Sequence, residues 1–178
     1  MSAPLQLRLK KGRDGRMASF ALHRADGSAT VMRNPHPFFP IHDLTHLAVE
    51  SVLRYRRGFY GLVAEGWNFE DFGSPWPRGP LPPDSDPAEC IVGMLDLERA
   101  SGVELGVEDV NAQLQRLAAE RPGTVFAPMQ RSQLEEVRRR VREYAARWSA
   151  LSPGETLVLD FLPGEDRHGS PEERRHAP

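Results

Sequence analysis

Period-two alternation at both ends of the chain, with three- and four-residue periodicity between them, narrows the fold to one class. Near the start, Leu5, Leu7 and Leu9 alternate with polar residues, while Asp14-Gly15 and Asp26-Gly27 supply turns that tolerate positive φ. Three antiparallel strands are expected there, near 4–11, 16–24 and 28–33. Close to the other end, Thr156-Leu157-Val158-Leu159-Asp160-Phe161 has the same strand character and needs a partner, which the N-terminal sheet can supply. The expectation is an α+β domain, with a small antiparallel sheet of three N-terminal strands plus a C-terminal strand packed against about five helices.

The helices are read from spacing and punctuation. Asn34-Pro35-His36-Pro37 cannot continue a ladder, because each proline removes a donor. Ile41, Leu44, Ala48, Val52 and Tyr55 then predict one buried stripe on a helix from about 41 to 57, broken at Gly58. A short helix over Phe59–Gly66 follows, and the proline-rich segment 74–83 reads as an extended loop, a connector or a flap over a neighbouring surface. Asp86-Pro87-Ala88-Glu89 has the order of a capped helix start, predicting a helix to about Ser101 with another over 107–120. Ser132-Gln133-Leu134-Glu135 reads as a second capping box, opening the longest stripe: Leu134, Val137, Val141, Tyr144, Trp148 and Leu151. On its opposite face, Glu135 with Arg139 and Glu136 with Arg140 form pairs one turn apart, the pattern of a solvated face.

Composition bounds the function. A chain of 178 residues with 39% apolar residues can bury a core as one unit, so residues 1–163 are expected to form a single globular domain and 164–178, charged throughout, a disordered tail. Lysine and arginine number 23 against 25 aspartate and glutamate, which argues against nucleic-acid binding and against electrostatic recruitment to a membrane. With no apolar signal core and no run long enough for a membrane helix, the expected location is the cytoplasm. The single Cys90 has no disulfide partner and reads as a buried apolar thiol on a helix.

The segment that carries chemistry is His42-Asp43-Leu44-Thr45-His46. Residues at i and i+4 of a helix share a face, so His42 and His46 can hold one divalent metal, with zinc the expected ion. A third ligand must come from elsewhere. Glu50 lies a further turn beyond His46, where it suits support of a ligand or an ion pair with Arg54, whereas Glu65 can be folded back by a turn at Arg57-Gly58. His36 reads as a solvated loop histidine or a fourth ligand, and the pair itself also fits an ordinary helix start in which Asp43 favours the dipole.

Here the chain resembles the gluzincin zinc metallopeptidases, which carry His-Glu-x-x-His on one helix and a glutamate ligand on the next. After eighteen intervening residues comes Glu65-Gly66-Trp67, similar to the Glu-Gly-aromatic context of the aminopeptidase branch. The resemblance implies His42, His46 and Glu65 as ligands and Asp43 as general base, with aspartate standing where the family has glutamate. His-Asp-x-x-His with a downstream glutamate is also similar to the metal motif of a ubiquinone-biosynthesis family. The hairpin, the His-Asp-Leu-x-His helix and Gly58-Phe59-Tyr60-Gly61 further resemble a group of uncharacterised bacterial proteins.

Three functions are therefore weighed. The first is a metal-dependent hydrolase of a small-molecule or peptide substrate, with Asp43 as base and Tyr55, Tyr60 or an arginine of 54–57 facing the oxyanion. The second is a non-catalytic interaction protein using the long helix or the Trp76 loop. The third is a small-molecule pocket between helices.

Overall fold

The computed structural model describes residues 4–164, so the expected tail, with His168 and His176, lies outside the described residues from 165 onward. Strands β1 (Leu5–Lys11), β2 (Met17–His23), β3 (Ala29–Arg33) and β4 (Thr156–Phe161) form one antiparallel sheet in the order β3-β2-β1-β4. The alternation fixes its inner face. Leu7 lies opposite Leu22 and Leu159, and Leu9 opposite Phe20 and Leu157, so the apolar residues of three strands share one side.

Five helices occur among the described residues: α1 (Ile41–Leu53), α2 (Phe59–Ala64), α3 (Asp86–Ser101), α4 (Val107–Glu120) and α5 (Arg131–Ala150). Two apolar clusters meet at α1. Leu44 and Leu47 pack with the sheet, Tyr60, Val63 and Trp148, while Ala48 and Val49 pack with α3, α4 and α5. Because α1 has partners on both sides, all eight residues from Asp43 to Glu50 are buried, where the sequence pattern had predicted a single stripe. The helix also stops earlier than expected: Arg54, at φ 56°, turns the chain into the left-handed region four residues before Gly58.

Other boundaries differ in instructive ways. Helix α3 starts at Asp86 itself, and Ser85, the residue before it, donates its hydroxyl hydrogen to Pro82 O, so the expected Asp86 cap does not form. The capping box of α5 uses Gln130 and Gln133 and so begins two residues before Ser132. The expected Glu136–Arg140 pair forms, whereas Arg139 engages Glu136 and Glu143 in place of the expected Glu135. Cys90 is only half-buried, with Arg121 Nη1 at 3.0 Å from its sulfur.

Trp148 is 7% exposed in the sheet-side core, with Lys11 Nζ lying 5.6 Å from its ring centroid. Trp148→Ala should cost about 3–5 kcal/mol through lost burial and a cavity. Urea denaturation would show the loss, and an unchanged midpoint would place the ring outside the core.

Candidate functional site

The histidines are held by the packing of α1 rather than by its exposed side. His42 and His46 stack edge to face with ring centroids 4.8 Å apart. Each ring presents Nδ1 to a carboxylate. His42 Nδ1 lies 2.6 Å from Asp96 Oδ2 on α3, and Arg99 braces that aspartate through its other oxygen at 2.6 Å. His46 Nδ1 lies 3.4 Å from Glu50 Oε1, close but without hydrogen-bond geometry, and is left without a hydrogen-bond partner. On the other side of the same ring, Nε2 is 3.6 Å from Glu89 Oε2.

Burial sets the protonation of this group. It pushes His46 down to about 4, so the imidazole is neutral, and pushes Asp43 up to about 7, against the opposing pull of His42. At His42 burial also works against the charged ring, but the hydrogen bond and charge of Asp96 outweigh it and leave His42 above the ordinary histidine range. Asp96, lifted by burial, is drawn down further by His42 and Arg99 and ends below the usual carboxylate range. Asp43 keeps one buried oxygen, Oδ2, with no partner.

Of the two roles expected of Glu50, support of a ligand or an ion pair with Arg54, the ion pair does not form, and Glu50 stands beside His46. It is wholly buried, and its carboxyl accepts hydrogen bonds from Tyr60 N at 3.0 Å and Gly61 N at 3.2 Å, the start of α2. Burial raises Glu50 to about 8 despite these donors. Tyr60, expected among candidates facing an oxyanion, is fully buried and donates its hydroxyl hydrogen to Asp43 O at 2.9 Å. Arg24 ties the other end of α2 to the sheet, donating to Val63 O at 2.6 Å and to Asn68 Oδ1 at 2.8 Å. Helix α2 is thereby fixed over the histidines, and its Phe59 ring centroid is 5.7 Å from that of His46.

These groups close one end of a cavity of about 360 Å³. His42, Asp43, His46 and Glu89 line it, with Phe20 of the sheet and Phe59 of α2 among its apolar walls. Leu81 brings the proline-rich loop into the same wall, so that segment does cover a neighbouring surface, while Trp76 itself is 44% exposed.

The expected site residues divide. His42, Asp43 and His46 are together, joined by Glu89 and Asp96. Glu65 is not brought to them: it is exposed at the end of α2, its carboxylate lies 3.1 Å from Arg57 Nε and 3.7 Å from Arg56 Nε, and it does not line the cavity. The shortness of α2 is the cause, since Glu65 caps a helix of six residues and projects from its far end. His36 accepts from Phe38 N through Nδ1 and lies outside the cavity lining. Sequence reasoning missed Glu89 and Asp96, although they stand seven residues apart on α3, a polar pair two turns apart and on one face.

Among the described residues no group of three or more His, Cys, Asp or Glu side chains is gathered so that it could hold a metal ion as it stands. No described helix is long and apolar enough to cross a membrane. Comparison of the chain with protein-family models, with curated proteins and with solved structures gives no match.

Proposed function

We propose that the cavity is a divalent-metal site in which His42 and His46 are ligands through Nε2 and Glu89 supplies the third donor, with zinc the best-suited ion. The observation that carries this reading is the convergence of both rings and Glu89 on one end of the cavity, His46 Nε2 lying 3.6 Å from Glu89 Oε2 while His42 Nδ1 is taken by Asp96 at 2.6 Å. A metal-binding histidine keeps its proton on the nitrogen facing such a carboxylate and offers the other nitrogen's lone pair, and His42 is set for that tautomer. The donor set also fits the ion: two imidazoles and one carboxylate form the common three-ligand arrangement with an open position. Glu89 is 42% exposed on its side chain, so turning it toward the histidines costs little packing. Glu65, engaged by two arginines, is the weaker candidate for that place.

A bound ion of this kind would act as a Lewis acid toward a water or a ligand oxygen in the cavity. Asp43 lines the same space and has one carboxyl oxygen without a hydrogen-bond partner, which favours the hydrolase reading with Asp43 as the group that takes a proton. The non-catalytic alternative keeps the cavity as a binding pocket only.

Equilibrium dialysis of tag-free protein against Zn²⁺ tests both the site and its third ligand. One ion per chain is expected, lost in His46→Ala and in His42→Ala. Glu89→Gln should weaken binding by roughly tenfold or more, and Glu65→Gln should leave it unchanged. Asp43→Ala should retain the ion and lose any hydrolytic activity. Uptake no greater than that of the double histidine variant refutes the metal reading, and loss in Glu65→Gln with retention in Glu89→Gln refutes the ligand assignment.

A further inference from the structure

The cavity that ends on the histidines has apolar walls and a polar end, and this division selects its ligand. Phe20, Met32, Phe59, Phe69, Phe72 and Leu81 form the walls. Several of these rings are packed against each other, Phe59 lying 4.7 Å from Phe72 and Phe20 lying 5.4 Å from Phe69 between centroids, so the wall is a continuous aromatic surface. Among the described residues no lysine or arginine lines the cavity, and its two carboxylates, Asp43 and Glu89, sit at the polar end. In the metal-free chain an anion entering here would lose its hydration and meet two acidic groups, and the histidine that could oppose its charge, His42, is already paired with Asp96. Asp43, meanwhile, lines this end with a carboxyl group one of whose oxygens, Oδ2, is buried and lacks a hydrogen bond.

We propose that the cavity binds an uncharged molecule of one or two rings, oriented by a hydroxyl that reaches the Asp43 carboxyl while the rings lie against the phenylalanine wall. A hydroxyl is the fitting group because it can donate to a carboxylate and accept from a carboxylic acid, serving Asp43 in either protonation state. The size follows from the volume: about 360 Å³ is at the small end for ligand cavities, which suits a compact molecule and not an extended peptide. This inference rests on the reading of the His42–His46 end as the working part of the molecule, and it names the substrate class for that site. It moves the expectation away from peptides, whose termini and backbone need charged or edge-strand partners that this wall does not offer.

The test is fluorescence titration of the full chain, freed of metal with EDTA, with prodan, an uncharged two-ring probe that brightens in apolar surroundings, followed by displacement with naphthol, naphthoate and methoxynaphthalene. Probe binding at one site per chain is expected, with naphthol displacing it at concentrations about tenfold or more below those needed of either competitor, since naphthoate buries an unpaired charge and methoxynaphthalene lacks the donor. Gly73 lines the cavity, and a Cβ there meets nothing within 4 Å, so Gly73→Phe narrows the space without a clash in the fold and should weaken the probe by a similar factor. Absence of probe binding, or naphthoate displacing as well as naphthol, overturns the proposal. Equal displacement by methoxynaphthalene overturns the role given to the hydroxyl. Zinc uptake measured on the same samples keeps the two readings apart. Probe failure in a preparation that afterwards takes up zinc refutes the ligand class alone, and probe binding without zinc uptake refutes the metal site alone.

Discussion

Gly61→Ala should destabilise the protein by about 3 kcal/mol or more, the upper end of what an added methyl in a packed interior costs. A Cβ at this position would fall 1.7 Å from the carbonyl oxygen of Arg56, against a limit near 3.0 Å for real contacts. The obstacle is backbone, so no side chain can swing aside to relieve it. Either α2 lifts away from the turn at residues 54–58 or that turn opens, and both movements pull Gly61 N and Tyr60 N from the Glu50 carboxyl. Gly93→Ala is the matched control. It lies exposed within α3 with nothing within 4 Å of the added methyl, so the same substitution there should stabilise by about 0.5–1 kcal/mol. Chemical denaturation of the two variants reads both signs. A loss below about 1 kcal/mol in Gly61→Ala would mean that the helix and the turn are not in such close contact.

Glu50→Ala should cost about 4 kcal/mol, summing the backbone donors of Tyr60 and Gly61 left without an acceptor and the cavity left by a side chain that is wholly buried. Glu50→Gln should cost only about 1 kcal/mol, because the amide keeps one acceptor oxygen and matches the shape of a carboxyl. The match is also electrical: burial raises Glu50 to about 8, so at neutral pH the native group is the uncharged acid that glutamine imitates. Equilibrium denaturation at neutral pH distinguishes the two. If Gln proved as damaging as Ala, Glu50 would be acting as a charge rather than as an acceptor for α2.

Both variants act on the junction that places α2 over the histidines, and that junction is where sequence reasoning was weakest. The strands were legible because period two needs no knowledge of distant residues. Leu5, Leu7 and Leu9 announce a one-sided sheet whichever partner they find, and Leu157, Leu159 and Phe161 complete it in the register that alternation requires. The beginnings of helices were nearly as legible, since Pro87 and the polar residues around it act within one turn. Exact caps were not, because several polar residues stand at each helix start and the direction of the chain decides between them: Gln130 caps α5 ahead of Ser132, and before α3 Ser85 turns its hydroxyl to Pro82 O.

Helix α1 is the instructive case. Its His-Asp-x-x-His spacing was sufficient to place His42, Asp43 and His46 on neighbouring turns, and the tertiary structure brings the three residues to one cavity. The same sequence gave no sign that Asp43, Thr45, His46 and Glu50 would all be buried, since a helix carrying so many polar groups reads as half exposed. Their burial depends on α3 and α5 packing on one side and the sheet on the other. Partners for those polar groups come from positions remote in the chain: Asp96 for His42, and the backbone of Tyr60 and Gly61 for Glu50.

Local periodicity and turn chemistry, which act over a few residues, thus determined the α+β class, the four strands and the face shared by the two histidines. Which carboxylate stands beside those histidines was decided only by tertiary structure. Glu65 follows in sequence but projects from the end of a six-residue helix toward Arg56 and Arg57, whereas Glu89 is carried to His46 by the packing of α3 against α1. The direction in which a side chain leaves a helix follows from the helix's length and axis, and both are set by what it packs against.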